Sequence, residues 1–401
     1  MLCLAMPPTP AASGTQAGPF YRALVRPILF RLDPERVHQG ALHACTMGAR
    51  VPGVPALCRR LYGFTHPSLR QTLAGVTFDH PVGLSAGFDK NGHAIGLLGS
   101  LGFSHVEIGS ISAFPSAGNP RPRLFRVPAD RAIIVAYGVP NEGADVVAAT
   151  LRREHCRVPL GINLVKTNDP ARPNTDEAVL ADYADAFATL QSLGSYVTIN
   201  LSCPNSACDR DFFDDPSRVA ALLDRLASVG PRVPVFLKLK PARDPEMMSA
   251  IVRIADAHPF IAGFGINLPS GKPDGLTFTS PREVWASLPG AVAGRPVEAL
   301  INAQLRQLYT LIGPRSRYVL IAAGGVFTAE DAYRKIRLGA SLVQLYTAMV
   351  YHGPAVVKAI LTGLVDLLHR DGYRHISEAV GADHRAAPPR PPRPAASASL
   401  V

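Results

Sequence analysis

The feature that most constrains the fold is a regular alternation of short apolar segments with longer amphipathic segments, which begins near residue 76. Eight short segments have the composition of buried strands: His80–Gly87, His105–Ile111, Pro159–Val165, Tyr196–Ser202, Val233–Leu239, Gly263–Leu268, Tyr318–Ala323 and Leu342–Thr347. Helical patterns lie between several of them, at Asp182–Leu193, Arg218–Ala227, Pro245–His258 and Ala329–Leu338. Eight β/α units in roughly 270 residues predict an α/β fold, the closed (β/α)8 TIM barrel. A doubly wound open sheet is the alternative, although no Gly-x-Gly-x-x-Gly follows the first strand.

The rest of the chain divides by composition into three further parts. Residues 1–18 contain Pro, Ala, Gly and Ser without a signal-peptide pattern, so we predict a disordered N-terminus. Residues 19–66 predict a small helical subdomain that precedes a barrel domain of residues 67–385. Residues 386–401 are rich in Pro, Arg, Ala and Ser, a composition that predicts a disordered tail.

The helical subdomain carries apolar residues at helical spacing with arginines between them. Asp33 and Pro34 give the N-cap and first turn of its second helix. Such basic amphipathic helices can lie on an anionic membrane surface. The alternative is a helical cap on the barrel with ordinary solvated arginines. No apolar run of about 18 residues is present, so we expect no membrane-spanning segment.

The net charge and the cysteine content limit which partners, metal sites and disulfides we expect. The net charge is +10, but no nucleic-acid motif accompanies it, so we expect no nucleic-acid partner. The six cysteines are sparse and form no CxxC pair, which predicts neither a metal site nor a disulfide framework and fits a reducing cytoplasm. They are Cys3, Cys45, Cys58, Cys156, Cys203 and Cys208.

Polar and small residues follow the predicted strands, where barrel enzymes place their chemistry. They are Ala86, Gly87 and Lys90 after the first strand, Ser110, Asn163, then Asn200, Cys203 and Asn205, followed by Lys238, Asn267, Gly325, Tyr346 and Thr347. Of these groups, Cys203 can act as a base or nucleophile if its thiol is deprotonated. The carboxamides can hydrogen-bond a planar polar ligand.

The same strand ends predict a phosphorylated flavin, FMN. Gly325, Tyr346 and Thr347 follow strands seven and eight, where barrels often bind phosphate. Lys238 lies in an apolar strand and is costly to bury unless it meets an anion, which a reduced flavin supplies at N1. Gly294 offers a further backbone amide. Nothing in the sequence has the fingerprint of a dinucleotide site.

Residues 20–385 resemble the dihydroorotate dehydrogenases, and their N-terminal part resembles the quinone-dependent (class 2) branch. The segments that carry the resemblance are Arg31–His38, Gly118–Arg126, Gly339–Tyr346 and Ile376–Arg385. Several long motifs in the right order make it specific. The resemblance implies FMN in the barrel mouth, oxidation of dihydroorotate to orotate for pyrimidine biosynthesis, and a membrane quinone as electron acceptor. It also implies a monomer that lies peripherally on the inner face of the cell membrane.

The resemblance assigns roles by position. FMN-binding positions are Ala86, Gly87, Lys90, Ser110, Asn163, Asn200, Lys238, Gly294, Gly325, Tyr346 and Thr347. Substrate-binding positions are Lys90, Asn205 and Asn267, and His38 and Arg126 match the quinone entrance. Cys203 stands at the position of the catalytic base.

The chain departs from the family pattern at positions that the resemblance places around the substrate. In the quinone branch the motif on the fourth strand usually reads N-[VI]-S-S-P-N-T. This chain has Cys203 at the position of the second Ser, as in the class 1 branch, and Ser206 at the position of the Thr. The family's N-R-M-G-F-N-N segment places an Asn on the substrate carboxylate, where this chain has Val135, with Pro140 further along. Leu268 replaces a Thr after strand six. Losing one donor to a buried carboxylate costs about 1.5–3 kcal/mol.

Three functions therefore remain open from the sequence. The first is a quinone-type dihydroorotate dehydrogenase. The second is a paralogue that uses the same flavin chemistry on a less polar substrate. The third is a flavin-binding protein without turnover, against which Lys90, Cys203 and Lys238 argue.

Overall fold

A computed structural model describes residues 18–201, 211–241, 245–266, 268–314 and 316–385. The predicted disordered segments at the two ends lie almost entirely outside these ranges, and residues 386–401 do so completely.

The eight predicted strands form a closed parallel barrel, which confirms the predicted fold class. The described strands are β1 Gln71–Leu73, β2 Val76–Phe78, β3 Val82–Leu84, β4 Val106–Ile111, β5 Leu124–Val127, β6 Ala132–Val135, β7 Leu160–Leu164, β8 Tyr196–Asn200, β9 Val235–Leu239, β10 Ile261–Ile266, β11 Ala291–Gly294, β12 Val319–Ala322 and β13 Leu342–Leu345. Around the barrel the order is β3, β4, β7, β8, β9, β10, β12 and β13, and β13 pairs with β3 to close it.

Helices surround this barrel and cover its outer face. Those described are α1 Arg26–Leu29, α2 Pro34–Arg50, α3 Val54–Tyr62, α4 Ile95–Leu98, α5 Ala144–Leu151, α6 Asp176–Leu190, α7 Pro216–Val229, α8 Pro245–Asp256, α9 Arg282–Trp285, α10 Glu298–Ile312, α11 Ala329–Arg337, α12 Thr347–His352, α13 Ala355–Arg370 and α14 Ile376–Ala379. A π-helical segment, Tyr21–Val25, precedes α1.

Strand β8 shows how the sequence pattern sets the two faces of the barrel. Val197 and Ile199 pack in the core between strands and helices, and Tyr196 packs in a separate cluster inside the barrel. Because side chains alternate along a strand, Thr198 and Asn200 share the inward face with Tyr196. The β1–β2 hairpin closes the lower end, where Phe78 is buried in the interior cluster.

A buried ion pair connects helix α2 to the segment that leads into β5. Asp33 caps α2 by accepting a hydrogen bond from the backbone N–H of Arg36, as the sequence predicts. In the first turn of α2, buried Glu35 accepts hydrogen bonds from the guanidinium of Arg123, which is also buried. Among the described helices, none is both long and apolar enough to cross a membrane.

A three-stranded sheet, which the sequence did not indicate, stands beside the barrel mouth. It is antiparallel, and β6 lies between β5 and β11. Its register pairs Val135 with both Leu124 and Ala291, and Gly294 with Ala132. The sheet therefore brings a distant segment of the chain to the same wall as β5 and β6.

Candidate active site

A cavity of about 930 Å³, including the part open to solvent, lies at the C-terminal ends of the barrel strands. Seven of the predicted FMN-binding residues line it: Ala86, Gly87, Lys238, Gly294, Gly325, Tyr346 and Thr347. These residues come from the first and the last two strands of the barrel, from β9 and from β11, and the closed fold brings them together.

Two of the lining positions admit only glycine. Gly294 has a φ of +102°, and a Cβ there would lie 2.3 Å from the carbonyl oxygen of Arg131. Gly325 has a φ of +77°, and a Cβ would lie 2.4 Å from the Cβ of Glu298. Side chains at these two positions would need both a strained backbone and displaced neighbours. Both therefore leave backbone surface exposed to the cavity.

The predicted residues Ser110, Asn163 and Asn200 form a hydrogen-bonded chain on neighbouring strands. Ser110 Oγ donates to Asn163 Oδ1 at 2.5 Å and accepts from Asn200 Nδ2 at 3.3 Å. Asn163 and Asn200 are buried. The structure thus joins the three residues to one another, although none of them is among the residues that line the cavity.

Lys90 lies against Tyr137, a residue that sequence reasoning missed. Its ammonium donates to the carbonyl of Gly87 at 3.0 Å and lies 4.0 Å from the centroid of the Tyr137 ring. Burial lowers the pKa of Lys90 to about 8, although the carboxylate of Asp89 opposes that shift. Tyr137 lines the cavity, and its buried hydroxyl has no partner among the described residues. A bound ligand could hydrogen-bond this hydroxyl.

His38 lies on α2, next to the cavity wall. Its ring makes an edge contact with Phe88 at 5.0 Å and stacks at 6.3 Å on Tyr346, which lines the cavity. Burial, together with the charge of Lys90, lowers the pKa of His38 to about 3, so the ring is neutral near pH 7. Its Nε2 has no hydrogen-bond partner in the described part of the chain.

Arg126, the second predicted quinone-entrance residue, holds the turn before α2. Its guanidinium donates to the carbonyl oxygens of Leu29 and Leu32, both at 3.2 Å, and lies 4.6 Å from the centroid of the Phe30 ring. Arg126 therefore connects β5 to the N-terminal helices.

Comparison with known proteins identifies the family. The sequence profile of the family described as dihydroorotate dehydrogenase matches residues 68–368, most of the barrel and the helices around it. The chain belongs to the dihydroorotate dehydrogenase family.

Relatives and solved structures of this family match nearly the full length of the chain. A protein of Nocardia farcinica named dihydroorotate dehydrogenase (quinone) is 40% identical over 374 residues, which cover 92% of this chain and 98% of that protein. A protein of the same name from Myxococcus xanthus is 38% identical over 368 residues, with 90% and 98% covered. The crystal structure of dihydroorotate dehydrogenase from Eimeria tenella in complex with ferulenol has a TM-score of 0.77 and 28% identity, and covers 90% of this chain and 99% of that one.

In this member of the dihydroorotate dehydrogenase family, the β5–β6–β11 sheet forms an apolar wall of the cavity. Leu124, Ile133 and Val135 line the cavity from that sheet, and Leu268 lines it from beyond β10. Pro140 lies apart from them, in a neighbouring cleft beside α2. Of the three apolar departures from the family pattern, Val135 and Leu268 therefore face the cavity itself, and Pro140 does not.

Three predicted residues of the site cannot be placed. Cys203, Asn205 and Asn267 lie outside the described residues, so the predictions for the catalytic base and for two of the substrate contacts stay predictions.

A second residue that the sequence interpretation missed is Glu107, a buried carboxylate on β4. The signal was present, because a charged residue in the apolar run Val106–Ile108 is as unusual as Lys238 in β9. Lys238 and Glu107 approach each other, with 3.8 Å between Nζ and Oε1.

Proposed function

We propose that this chain oxidises dihydroorotate to orotate, a step of pyrimidine biosynthesis, with FMN as cofactor and a quinone as electron acceptor. The observation that carries the proposal is a lysine, Lys238, with a side chain only 12% exposed, in a cavity whose wall includes two positions restricted to glycine. The relatives named dihydroorotate dehydrogenase (quinone) support it, since they match the chain almost from end to end.

The cavity residues suit FMN. Gly294, Gly325 and Thr347 would hold its phosphate through backbone groups, and Ala86 and Gly87 leave room for a flat ring. FMN, when bound, accepts a hydride and becomes anionic at N1. The side chain of Lys238 is 12% exposed, and its ammonium would stabilise that negative charge in a site that largely excludes water.

On the substrate side, the proposed base is Cys203, which would remove a proton from the carbon next to a carbonyl group. Asn200, Asn205 and Asn267 would hold the plane of the substrate, and Lys90 would meet its negative charge. The Tyr137 hydroxyl supplies a further hydrogen-bonding group beside Lys90. These assignments follow the family resemblance together with the described positions of Asn200, Lys90 and Tyr137.

A second candidate keeps the flavin chemistry but acts on a less polar substrate. The apolar wall of Leu124, Ile133, Val135 and Leu268 favours it, because such a wall offers no hydrogen bond to a carboxylate. Both candidates need FMN, and they differ only in what reduces it.

Anaerobic mixing separates the two candidates. Purified protein with bound FMN is mixed with dihydroorotate while flavin absorbance is followed. Bleaching is expected if dihydroorotate is the substrate. Bound FMN that stays oxidised would favour the less polar substrate instead. Protein that neither contains FMN nor takes it up would contradict both.

On the quinone side, we propose that residues 19–66 form the quinone entrance and hold the protein on the inner face of the cell membrane as a monomer. Large apolar side chains are exposed on these helices, namely Phe20, Leu24, Ile28, Leu32, Met47, Val51, Leu57 and Leu61. The neutral His38 ring, with its free Nε2, could accept a hydrogen bond from a reduced quinone.

The membrane proposal predicts a loss of vesicle binding when the exposed apolar residues are replaced. Serine at Phe20, Leu24 and Ile28, which are 57–69% exposed, is expected to lower binding to anionic vesicles at least tenfold, since each large side chain contributes about 1.5–3 kcal/mol when buried. Cosedimentation with vesicles measures it. Serine at Val146, Val284 and Leu311, exposed elsewhere, is the matched control. Equal loss in both triple variants would contradict the assignment of the membrane face.

A further inference from the structure

Glu107 lies inside the barrel, beneath the cavity, and is 1% exposed. Its Oε1 accepts a hydrogen bond from Asn163 Nδ2 at 2.9 Å and lies 3.8 Å from the Lys238 ammonium. Its Oε2 accepts from Gln344 Nε2 at 2.9 Å and from the hydroxyls of Tyr196 and Thr198, each at 3.3 Å. The carboxylate is thus surrounded by groups from β7, β8, β9 and β13.

Each of these neighbours presents an N–H or O–H group to the carboxylate. An ionised carboxylate only accepts hydrogen bonds, so four donors and one cation satisfy it fully. Lys238 is beyond hydrogen-bond distance, and its interaction with Glu107 is therefore one of charge. A buried acid with such a donor set is held in one place by its surroundings.

Glu107 lies inside the barrel, directly below the residues that line the cavity. It precedes the strand end of β4 by several residues, at the level where Gly161 pairs with it on β7. Gly161 leaves space for the Tyr196 ring, because a Cβ there would lie 2.2 Å from that ring. Above this level, Lys238 and Gln344 both line the cavity and reach down to the carboxylate.

The Asn163 contact extends the influence of Glu107 to the neighbouring hydrogen bonds. By taking the Nδ2 group of Asn163, Glu107 leaves Oδ1 to accept from Ser110, whose oxygen accepts in turn from Asn200. Glu107 therefore sets the direction of three consecutive hydrogen bonds among residues predicted to contact the flavin.

We propose that Glu107 is a positioning residue which holds Lys238 and Asn163 under the flavin and whose negative charge lowers the reduction potential of bound FMN. The proposal rests on the proposed function, since it requires FMN in the cavity. With Glu107 present, the charges of Glu107 and Lys238, whose side chains are 2% and 12% exposed, cancel. Without that carboxylate the pair becomes cationic, and a cationic site favours the anionic, reduced form of the cofactor.

The test is the reduction potential of FMN bound to Glu107→Gln, measured by equilibration with a redox dye. We expect the ratio of affinities for reduced and oxidised FMN to rise about tenfold, a shift of about 30 mV to more positive potential for a two-electron couple. Thr198→Val is the matched control, because it removes one hydrogen bond to the same carboxylate and leaves the charge in place. Its potential is expected to stay at the wild-type value.

The outcomes separate the proposal from the function on which it rests. A Glu107→Gln protein with bound FMN and an unchanged potential would overturn the role of Glu107 alone. Wild-type protein that takes up no FMN would overturn the proposed function and this role together. If Glu107→Gln fails to fold, the potential is measured on Glu107→Asp instead. The side chain of Asp is one methylene group shorter, so its charge lies farther from Lys238. A smaller positive shift is then expected, and no shift would overturn the proposal.

Discussion

Replacing Cys203 by alanine is expected to lower the rate at which dihydroorotate reduces bound FMN by roughly 10²- to 10⁴-fold, the usual contribution of a general base. The predicted FMN-binding residues that line the cavity, such as Lys238 and Gly294, are unchanged, so the yellow flavin spectrum should persist. Anaerobic stopped-flow absorbance measures the reduction rate at saturating dihydroorotate, and the flavin content of the purified variant is measured separately.

Two variants control this experiment. Cys203→Ser is expected to recover part of the lost rate, because the motif of the quinone branch carries a serine at the position of Cys203, and a serine hydroxyl can also accept the proton. Cys208→Ala removes the neighbouring thiol of the same segment and is expected to reduce FMN at the wild-type rate. Flavin reduction at an unchanged rate in Cys203→Ala would remove Cys203 from the role of base.

The barrel could be predicted because its signal is local. Each strand is a short apolar run bounded by polar residues, and helical periodicity fills the intervals. The ends of parallel strands meet at one edge of a barrel, so residues at those ends can be grouped without knowledge of contacts. This is why Ala86, Lys238 and Tyr346, distant in sequence, were correctly expected to lie together.

The antiparallel sheet beside the mouth could not be predicted in the same way. Its β6 pairs with β11, which follows more than 150 residues later. The sequence of neither short segment indicates which strand it pairs with. The apolar wall around Val135 depends on this pairing. So does the packing of Gly294 against Arg131, which requires a residue without a side chain.

Glu107 and Tyr137 show a different limit. A charged residue inside an apolar strand indicates a buried partner, and this holds for Glu107 in β4 as it does for Lys238 in β9. The identity of the partner, however, depends on the register of strands around the barrel. For Tyr137, the free hydroxyl becomes visible only when all its neighbours are known.

Lys238→Met is expected to slow the reduction of FMN in the cavity, because it removes the one lysine among the described residues that line the cavity. Methionine keeps much of the length of the side chain but removes the charge near the site of the developing anion, so FMN reduction is expected to slow by about 10²- to 10³-fold. The reduction potential should fall, opposite in sign to the expected shift for Glu107→Gln. Stopped-flow reduction and dye equilibration measure the two effects.

The same substitution leaves Glu107 without its cation. Removing one partner of a buried ion pair is destabilising by about 3–5 kcal/mol, although the four hydrogen bonds to Glu107 should moderate the loss. The double variant Glu107→Gln with Lys238→Met restores neutrality and is expected to unfold at higher denaturant concentration than Lys238→Met alone. Lys358→Met, on an outer helix, is the control for loss of a lysine. If the double variant were less stable than Lys238→Met, Glu107 and Lys238 would not act as a charge pair.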